Sequence, residues 1–409
     1  MDLEKRLYEA LKSHGKTPEK SKSDLFKEPP IGTVRETSAG PIWMVETAYD
    51  EGYLHGRVEL SNSIAGTALP YFESSLDYEK FATSGIAVID TETTGLAGGT
   101  GTYPFILGVG FFINDKFVVR QYILRDFAEE PAQLAAFTED IKGLSTLLTY
   151  NGKSFDIPLL RTRFRINRTP IPFSDYPHID MVHPCRRLYK LHFESFTLGM
   201  MESAIVGFER IDDVPSHLIP YIYFDFLQNR NQELLLPILN HNRDDIVSLY
   251  LLAQETGRRI ELACNDGCED DPFLLSLSRI SFNNREYDKA RTFIDKIKTE
   301  YAPDKIADET LFLKSILAKK ERNWDEAQSL WREMLDSGKF GYYPHIEMAK
   351  HLEHRKKDIK AALELTNNAL KLIEFERELS SHTSYKNNSS ALKRRHKRLT
   401  HKIKKDVGL

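Results

Sequence analysis

Apolar residues follow two regimes along this chain. From residue 86 to 182 they come in short unbroken runs: Ile86-Ala87-Val88-Ile89, FILGVGFFIN (105–114), FVVRQYIL (117–124), LSTLLTYN (144–151) and HIDMV (178–182). Runs of that length predict strands buried on both faces. Asp115-Lys116 lies between two of them and predicts a hairpin turn. The intervening stretches 129–142 and FDIPLLRTRFRI (155–166) predict helices, as do segments near 183–191, 197–206, 216–229 and 232–257. The element order is three strands followed by helix, strand, helix, strand, helix. Upstream, PIWMVETAYDEGYLHGRVEL (41–60) is aromatic and predicts a small strand extension. Leu3, Leu7 and Leu11 recur every four residues, enough for a short amphipathic helix, before a linker rich in Lys, Ser and Pro.

After about residue 270 the strand pattern stops. REYDKARTFIDKI (285–297), RNWDEAQSLWREML (322–335) and KKDIKAALELTNNAL (356–370) resemble one another. Aligning Tyr287/Ala290, Trp324/Ala327 and Ile359/Ala362 gives offsets of 37 and 35 residues. Helix-pair repeats of the tetratricopeptide type have a period of about 34. An irregular helical bundle is the alternative. The predicted organisation is a leader and linker (1–40), a small extension (41–80), an α/β domain (81–258), helical repeats (270–380) and a basic tail (381–409).

The candidate chemistry starts at Ile89-Asp90-Thr91-Glu92-Thr93-Thr94-Gly95-Leu96. Residues two apart on a strand share a face, so Asp90 and Glu92 present two carboxylates together. Paired acids repel unless a cation neutralises them, and hard oxygen ligands suit Mg²⁺ or Mn²⁺. TYNGKSFDIPLL places Asp156 at the start of a helix. HNRDDIVSLYLL places His241 and Asp245 four apart on one helical face, with Asp244 as the adjacent alternative. By itself that pair reads more readily as a surface ion pair; Asp90, Glu92 and Asp156 turn the reading toward a site. Four acids and one base suffice for two metal ions about 3.5–4 Å apart that activate a water against a phosphodiester.

These motifs resemble the three exonuclease motifs of the DEDD superfamily of 3′–5′ exonucleases, which have a ribonuclease H-like fold. Within it the chain is similar to the bacterial family that joins such a domain to C-terminal tetratricopeptide-like repeats. The resemblance covers roughly residues 40–370. It is most specific in IDTETTGLAGGTGTYPFILGVGFF, LLTYNGKSFDIPLLRTRF, HIDMVHPCRRLYK and HNRDDIVSL. It implies an α/β ribonuclease H-like domain with a mixed sheet flanked by helices, followed by an all-α domain. It implies Asp90, Glu92 and Asp245 as direct metal ligands, with Asp90 bridging two ions and Asp156 holding the second. His241 would be the general base, and Thr93, Gly95 and Leu96 would cradle the terminal nucleotide. His241 and Asp245 depart from the family pattern: His-type members space these residues by five and Tyr-type members by four. The family points to bacterial DNA repair with a helicase partner, so DNA is favoured over RNA. An RNA-processing exonuclease, a non-catalytic nucleic-acid-binding adaptor and a structure-selective endonuclease are the rivals.

Other features change the picture less. GLAGGTGT (95–102) lacks the Gly-Lys-Ser/Thr ending of a phosphate loop. Arg186, Arg187 and Lys153 are candidate phosphate contacts or solvated surface charges. Cys264 and Cys268 have no second pair, which argues against zinc, and three cysteines argue against a disulfide framework. No apolar run is long enough to span a membrane, and the first residues lack a signal-peptide centre, so a cytoplasmic location is expected. The net charge of −4 over 409 residues, taken alone, argues against a nucleic-acid partner. The average hides an asymmetry. Residues 386–409 hold nine Lys/Arg and one Asp, so the tail carries +8 and the remaining 385 residues −12. Leu399 and Ile403 make that tail a candidate cationic helix that contacts nucleic acid or an acidic partner surface, with a solvated, poorly ordered terminus as the alternative.

Overall fold

The computed structural model describes residues 31–74, 81, 85–95, 100–211, 213–300, 302–379 and 385–406. The Leu3/Leu7/Leu11 helix and Leu96 lie outside these residues. The chain forms two compact units, up to Cys268 and from Glu269 onward.

The first unit is built on one seven-stranded sheet. Its strands are β1 (Thr33–Thr37), β2 (Gly40–Tyr49), β5 (Ile86–Thr93), β6 (Pro104–Ile113), β7 (Lys116–Ile123), β8 (Thr146–Thr149) and β9 (His178–Asp180). A separate two-stranded ribbon pairs β3 (Leu54–His55) with β4 (Val58–Glu59). The sheet order is β1-β2-β7-β6-β5-β8-β9, antiparallel as far as β5 and parallel across β5, β8 and β9. Ile86, Ala87, Val88 and Ile89 are buried, as a central strand covered on both faces requires.

Two local readings shift. The β6–β7 turn is Asn114-Asp115, one residue earlier than expected, and both residues have positive φ (47° and 65°). A two-residue hairpin of that hand needs side chains that tolerate the left-handed region, which Asn and Asp do and Lys does less readily. Residues 33–37, inside the stretch whose composition reads as linker, form β1, because β2 supplies a complete antiparallel partner for them. Five residues with one buried neighbour carry too little hydrophobic pattern to announce themselves.

The crossovers after the meander are helical, as right-handed parallel connections usually are. α1 (Leu69–Phe72) precedes β5; α2 (Glu130–Asp140), α3 (Asp156–Ile166) and α4 (Val182–Tyr189) follow β7, β8 and β9. α5 (Leu198–Met201) runs into a wide turn at Glu202–Val206, and α6 (Ile219–Asn229) leads to the 29-residue α7 (Leu236–Cys264). α7 packs against β5, β6 and β7, and its Ile246, Leu249, Leu252 and Ala253 are all buried. Glycine makes that approach possible. A Cβ at Gly108 of β6 would sit 2.3 Å from Asn242 Oδ1, and one at Gly110 2.5 Å from Ile246.

The second unit is helical: α8 (Asp271–Asn283), α9 (Tyr287–Asp295), α10 (Asp304–Lys320), α11 (Trp324–Ser337), α12 (Tyr343–His351), α13 (Ile359–Leu379) and α14 (Tyr385–Asp406). Helices pack as successive pairs, α8 on α9, α10 on α11 and α12 on α13. Ala290, Ala327 and Ala362, the alanines of the three similar segments, each have no exposed surface. A small side chain there lets the two helices of a pair close on each other. The described part of the basic tail, Tyr385–Asp406, is α14. Leu392 and Leu399 bury its apolar side, and Arg395, Arg398 and Lys402 converge on the buried carboxylate of Glu353 at 2.7–3.1 Å.

Candidate metal and nucleic-acid site

β5 carries Asp90 and Glu92 to its C-terminal end, at the switch between its antiparallel neighbour β6 and its parallel neighbour β8. Open α/β sheets place their ligands at that end. α3 begins at Asp156, whose Oδ1 accepts a 2.5 Å hydrogen bond from Thr91 Oγ1. α7 contributes His241 and Asp245 from one face, as their spacing predicts. His241 Nε2 lies 3.5 Å from Asp245 Oδ2 and 3.9 Å from Glu92 Oε1. Asp244 turns away onto Arg243 at 2.8 Å.

The arrangement concentrates negative charge out of water. Burial, reinforced by Asp245, Glu92 and Asp156, holds Asp90 well above the carboxylate range. Burial together with Asp245 and Asp156 pushes Glu92 up to about 8 against the pull of His241. Burial raises Asp156 to about 6 although the Thr91 hydroxyl favours its anion. Burial opposes protonation of His241, but its bond to Asp213 and the charges of Asp245 and Glu92 outweigh that and push it up to about 9. The sign follows for stability without added metal. The acids have raised folded values, so what they contribute when neutral fades as pH climbs toward 8. The protonated His241 contribution fades as pH climbs through about 9. In chelator, the first unit is therefore expected to melt at progressively lower temperature from about pH 5 to pH 9. A flat profile in a calorimetric pH series would contradict it.

Several residues that no local pattern announces complete the site. Asn242, fully buried, donates from its amide to Asp90 Oδ2 at 2.7 Å and accepts from Gln121 of β7 at 2.8 Å. Asp213 accepts from His241 Nδ1 at 2.7 Å, which turns Nε2 toward the acids. Arg210 donates to Asp245, to Glu202 Oε2 at 2.7 Å and lies 3.1 Å from His241 Nδ1. Glu202 in turn accepts from Ser248, which bonds His55 of β3 at 2.8 Å. Arg210 is thus the protein's own cation against the acid cluster, braced from behind by a buried carboxylate. Asp180 at the end of β9 accepts the N–H groups of Asn151 (2.6 Å) and Lys153 (3.0 Å), clamping the loop that delivers Asp156. Asn151 has φ 62°, and a Cβ at Gly152 would lie 2.5 Å from Thr149. The Asn-Gly pair of that motif was the available signal for such a turn.

A cleft of about 590 Å³ opens beside the acids, lined by Asp90, Thr93, Gly95, Tyr150, Phe155 and Asp156 among others. That volume lies within the usual range of ligand sites. Phe155 is 58% exposed there. A second cleft, of about 440 Å³, reaches His241 and Asp245 from the side of Arg210, and Ser216 borders both. The candidate substrate contacts are placed as follows. Thr93 Oγ1 donates to Gly95 O at 3.0 Å. Lys153 pairs with Glu73 at 2.7 Å. Arg187 donates to the carbonyls of Tyr71 and Phe72, and Arg186 is exposed.

The donor set fits a divalent cation. Glu92, His241 and Asp245 offer three ligand atoms within 4.8 Å of one another. Carboxylate oxygens with one imidazole suit hard to borderline ions such as Mg²⁺ and Mn²⁺. Arg210 competes for Asp245, so Arg210→Gln is expected to tighten Mn²⁺ binding several-fold in isothermal titration. It should also lower the melting temperature in chelator, because the buried Glu202 loses its counter-charge and keeps only the Ser248 hydroxyl. Weaker Mn²⁺ binding would show that Arg210 organises the ligands and does not oppose the ion.

Among the described residues no helix is long and apolar enough to cross a membrane. Residues 87–256 match the model of the RNase_H superfamily, the span that runs from β5 into α7 and contains every acid of the cluster. The chain is also 32% identical over 284 residues to "Uncharacterized protein YprB" of Bacillus subtilis (strain 168), an alignment covering 69% of this chain and 68% of that protein. RNase H-like domains act on nucleic acid, usually with divalent metals, and the sheet order and the acids at the end of β5 agree with the match: residues 87–256 of the chain belong to the RNase_H superfamily.

Proposed function

We propose that this protein is a metal-dependent 3′–5′ exonuclease of the DEDD type, acting on DNA. The observation that carries the reading is the meeting of Asp90, Glu92, Asp156 and Asp245, from β5, α3 and α7, with His241 beside a cleft of nucleotide-binding size. Asp90, Glu92 and Asp245 would hold the first of two Mg²⁺ or Mn²⁺ ions, and Asp90 with Asp156 the second. Bound there, two such ions supply charge stabilisation to the attacking and leaving oxygens of a phosphodiester.

The chain's own residues account for the rest. Asp213 fixes the His241 ring so that Nε2 faces the acids, where an attacking water would give up its proton. His241 must first lose the proton that Asp245 and Glu92 help it keep, and neutralising those acids removes two of its causes. Asn242 and Thr91 hold Asp90 and Asp156 in place. Thr93, Gly95 and the exposed Phe155 ring line the cleft where a terminal base would stack. The preference for DNA, a role in DNA repair and a helicase partner rest on the family resemblance alone. The paired helices of the second unit, read as tetratricopeptide-like repeats, would be the partner-binding arm.

Incubating the protein with 5′-labelled and 3′-labelled strands of DNA and RNA, in Mg²⁺, Mn²⁺ or chelator, tests the reading. A ladder shortening from the 3′ end, metal-dependent and faster on DNA, is expected. RNA cleaved faster than DNA would favour the RNA-processing reading, and internal cuts an endonuclease. Asp245→Ala should be inactive and Asp244→Ala active, since only Asp245 joins the cluster. The reverse pattern would move the ligand by one residue.

A further inference from the structure

Between α12 and α14 the second unit holds a cleft of about 470 Å³, walled by Tyr342, Tyr343, Lys350, Arg394, Arg395 and Arg398. Its charge is lopsided. Glu353 accepts from Arg395, Arg398 and Lys402, and Glu347 from Lys319 and Lys350. Two carboxylates therefore answer six cations once Arg394 is included. Arg394 is exposed and makes no ion pair among the described residues. It stands one helical turn from Arg398, so the two guanidinium groups share a face of α14. The tyrosines add aromatic surface: Tyr343 packs at 4.8 Å against Phe312, and Tyr342 lies against the apolar cluster of Ala369, Ile373 and Leu392. Anchored rings beside an arginine without an ion pair, in a cleft with more cations than carboxylates, are what a single nucleic-acid strand requires, phosphates on the cations and bases on the π-faces.

We propose that this cleft is a second nucleic-acid site, one that takes a single strand independently of the acid cluster. The choice of a nucleic acid over an acidic peptide rests on the nuclease reading of the first unit. The helix that forms it is already folded onto Glu353, so the site is a docked platform and the tail binds without first having to order itself.

The test is fluorescence anisotropy of a labelled oligothymidylate with the full chain in chelator, where no hydrolysis proceeds. Arg394→Glu is expected to weaken binding about tenfold, and Arg394→Gln to lower the salt slope by about one. Lys360→Glu, an exposed charge change on α13, is the control and should bind as wild type. Hydrolysis of the p-nitrophenyl ester of thymidine 5′-monophosphate reads the first unit alone and should keep its wild-type rate in Arg394→Glu. The proposal is overturned by unchanged affinity and slope in both Arg394 variants, by an equal loss in Lys360→Glu, or by a parallel loss of ester hydrolysis. Displacement of the strand by polyglutamate as readily as by unlabelled oligothymidylate would overturn it too, leaving an acidic-peptide site. Failure of the nuclease reading has a different signature, a wild-type protein that does not hydrolyse the ester while the binding measurements still give their answer.

Discussion

Asp90→Asn is expected to remove hydrolysis of a 3′-ended strand by about a thousandfold or more, ~4 kcal/mol of transition-state stabilisation, and at the same time to raise the melting temperature in chelator. Both effects come from one cause. Asp90 sits among Asp245, Glu92 and Asp156, away from water, and its carboxyl is held well above the ordinary range. An amide of the same shape relieves that repulsion and still accepts from Asn242. Folding without metal therefore gains. Activity falls because the charge that would hold the ions is gone. The two readouts separate the site reading from simple damage: a variant that is inactive and less stable in chelator has lost structure, and one that stays active has its metal elsewhere. Mn²⁺ should raise the melting temperature of wild type and leave that of Asp90→Asn nearly unchanged.

Glu353→Gln is expected to cost about 3 kcal/mol in the second unit, because a buried carboxylate that three cations share is replaced by a neutral group. Arg395, only 14% exposed, is left without its counter-charge, while Arg398 and Lys402 can turn to water. Leu392 and Leu399 still hold α14 by apolar contact, so the helix should loosen without leaving. Hydrogen exchange and tryptic cleavage across residues 393–405 would report it. The pH dependence runs opposite to that of the first unit. Burial raises the Glu353 carboxyl, but Arg398, Lys402 and Arg395 overcome that and hold it at about 2. A depressed folded value means a contribution present above the ordinary 4.5 and lost as pH falls toward 2. Wild type should therefore loosen α14 in that acid window, and Glu353→Gln should be insensitive there. Unaltered exchange across α14 at pH 7 in the variant would show that apolar contacts alone seat the helix.

Much of the candidate site was legible because its spacing is local. Two residues apart on a strand and four apart on a helix each place side chains on one face whatever the rest of the chain does, so Asp90 with Glu92 and His241 with Asp245 could be paired before any fold was known. The choice between Asp244 and Asp245 was open to the same argument, and the ion pair of Asp244 with Arg243 agrees with it. The strand runs were legible because central strands are apolar throughout. The tail's charge was legible as composition, although its use was not.

What the sequence by itself determined was the type and order of the elements from β5 to α7, the succession of an α/β region by a helical one, and which acids share a face. Only the tertiary structure decided what completes them. Arg210 meets Asp245 across 35 residues, Asn242 meets Asp90 across 152, and Arg398 meets Glu353 across 45. Such contacts have no period to read, since they depend on how closely α7 packs on β6 at Gly108 and on where Arg210 and Asp213 come to lie against α7. Side-chain direction is a property of one element's backbone. Partnership between elements is a property of packing, and it is packing that set a cation against the acid cluster and turned a basic tail into a docked helix.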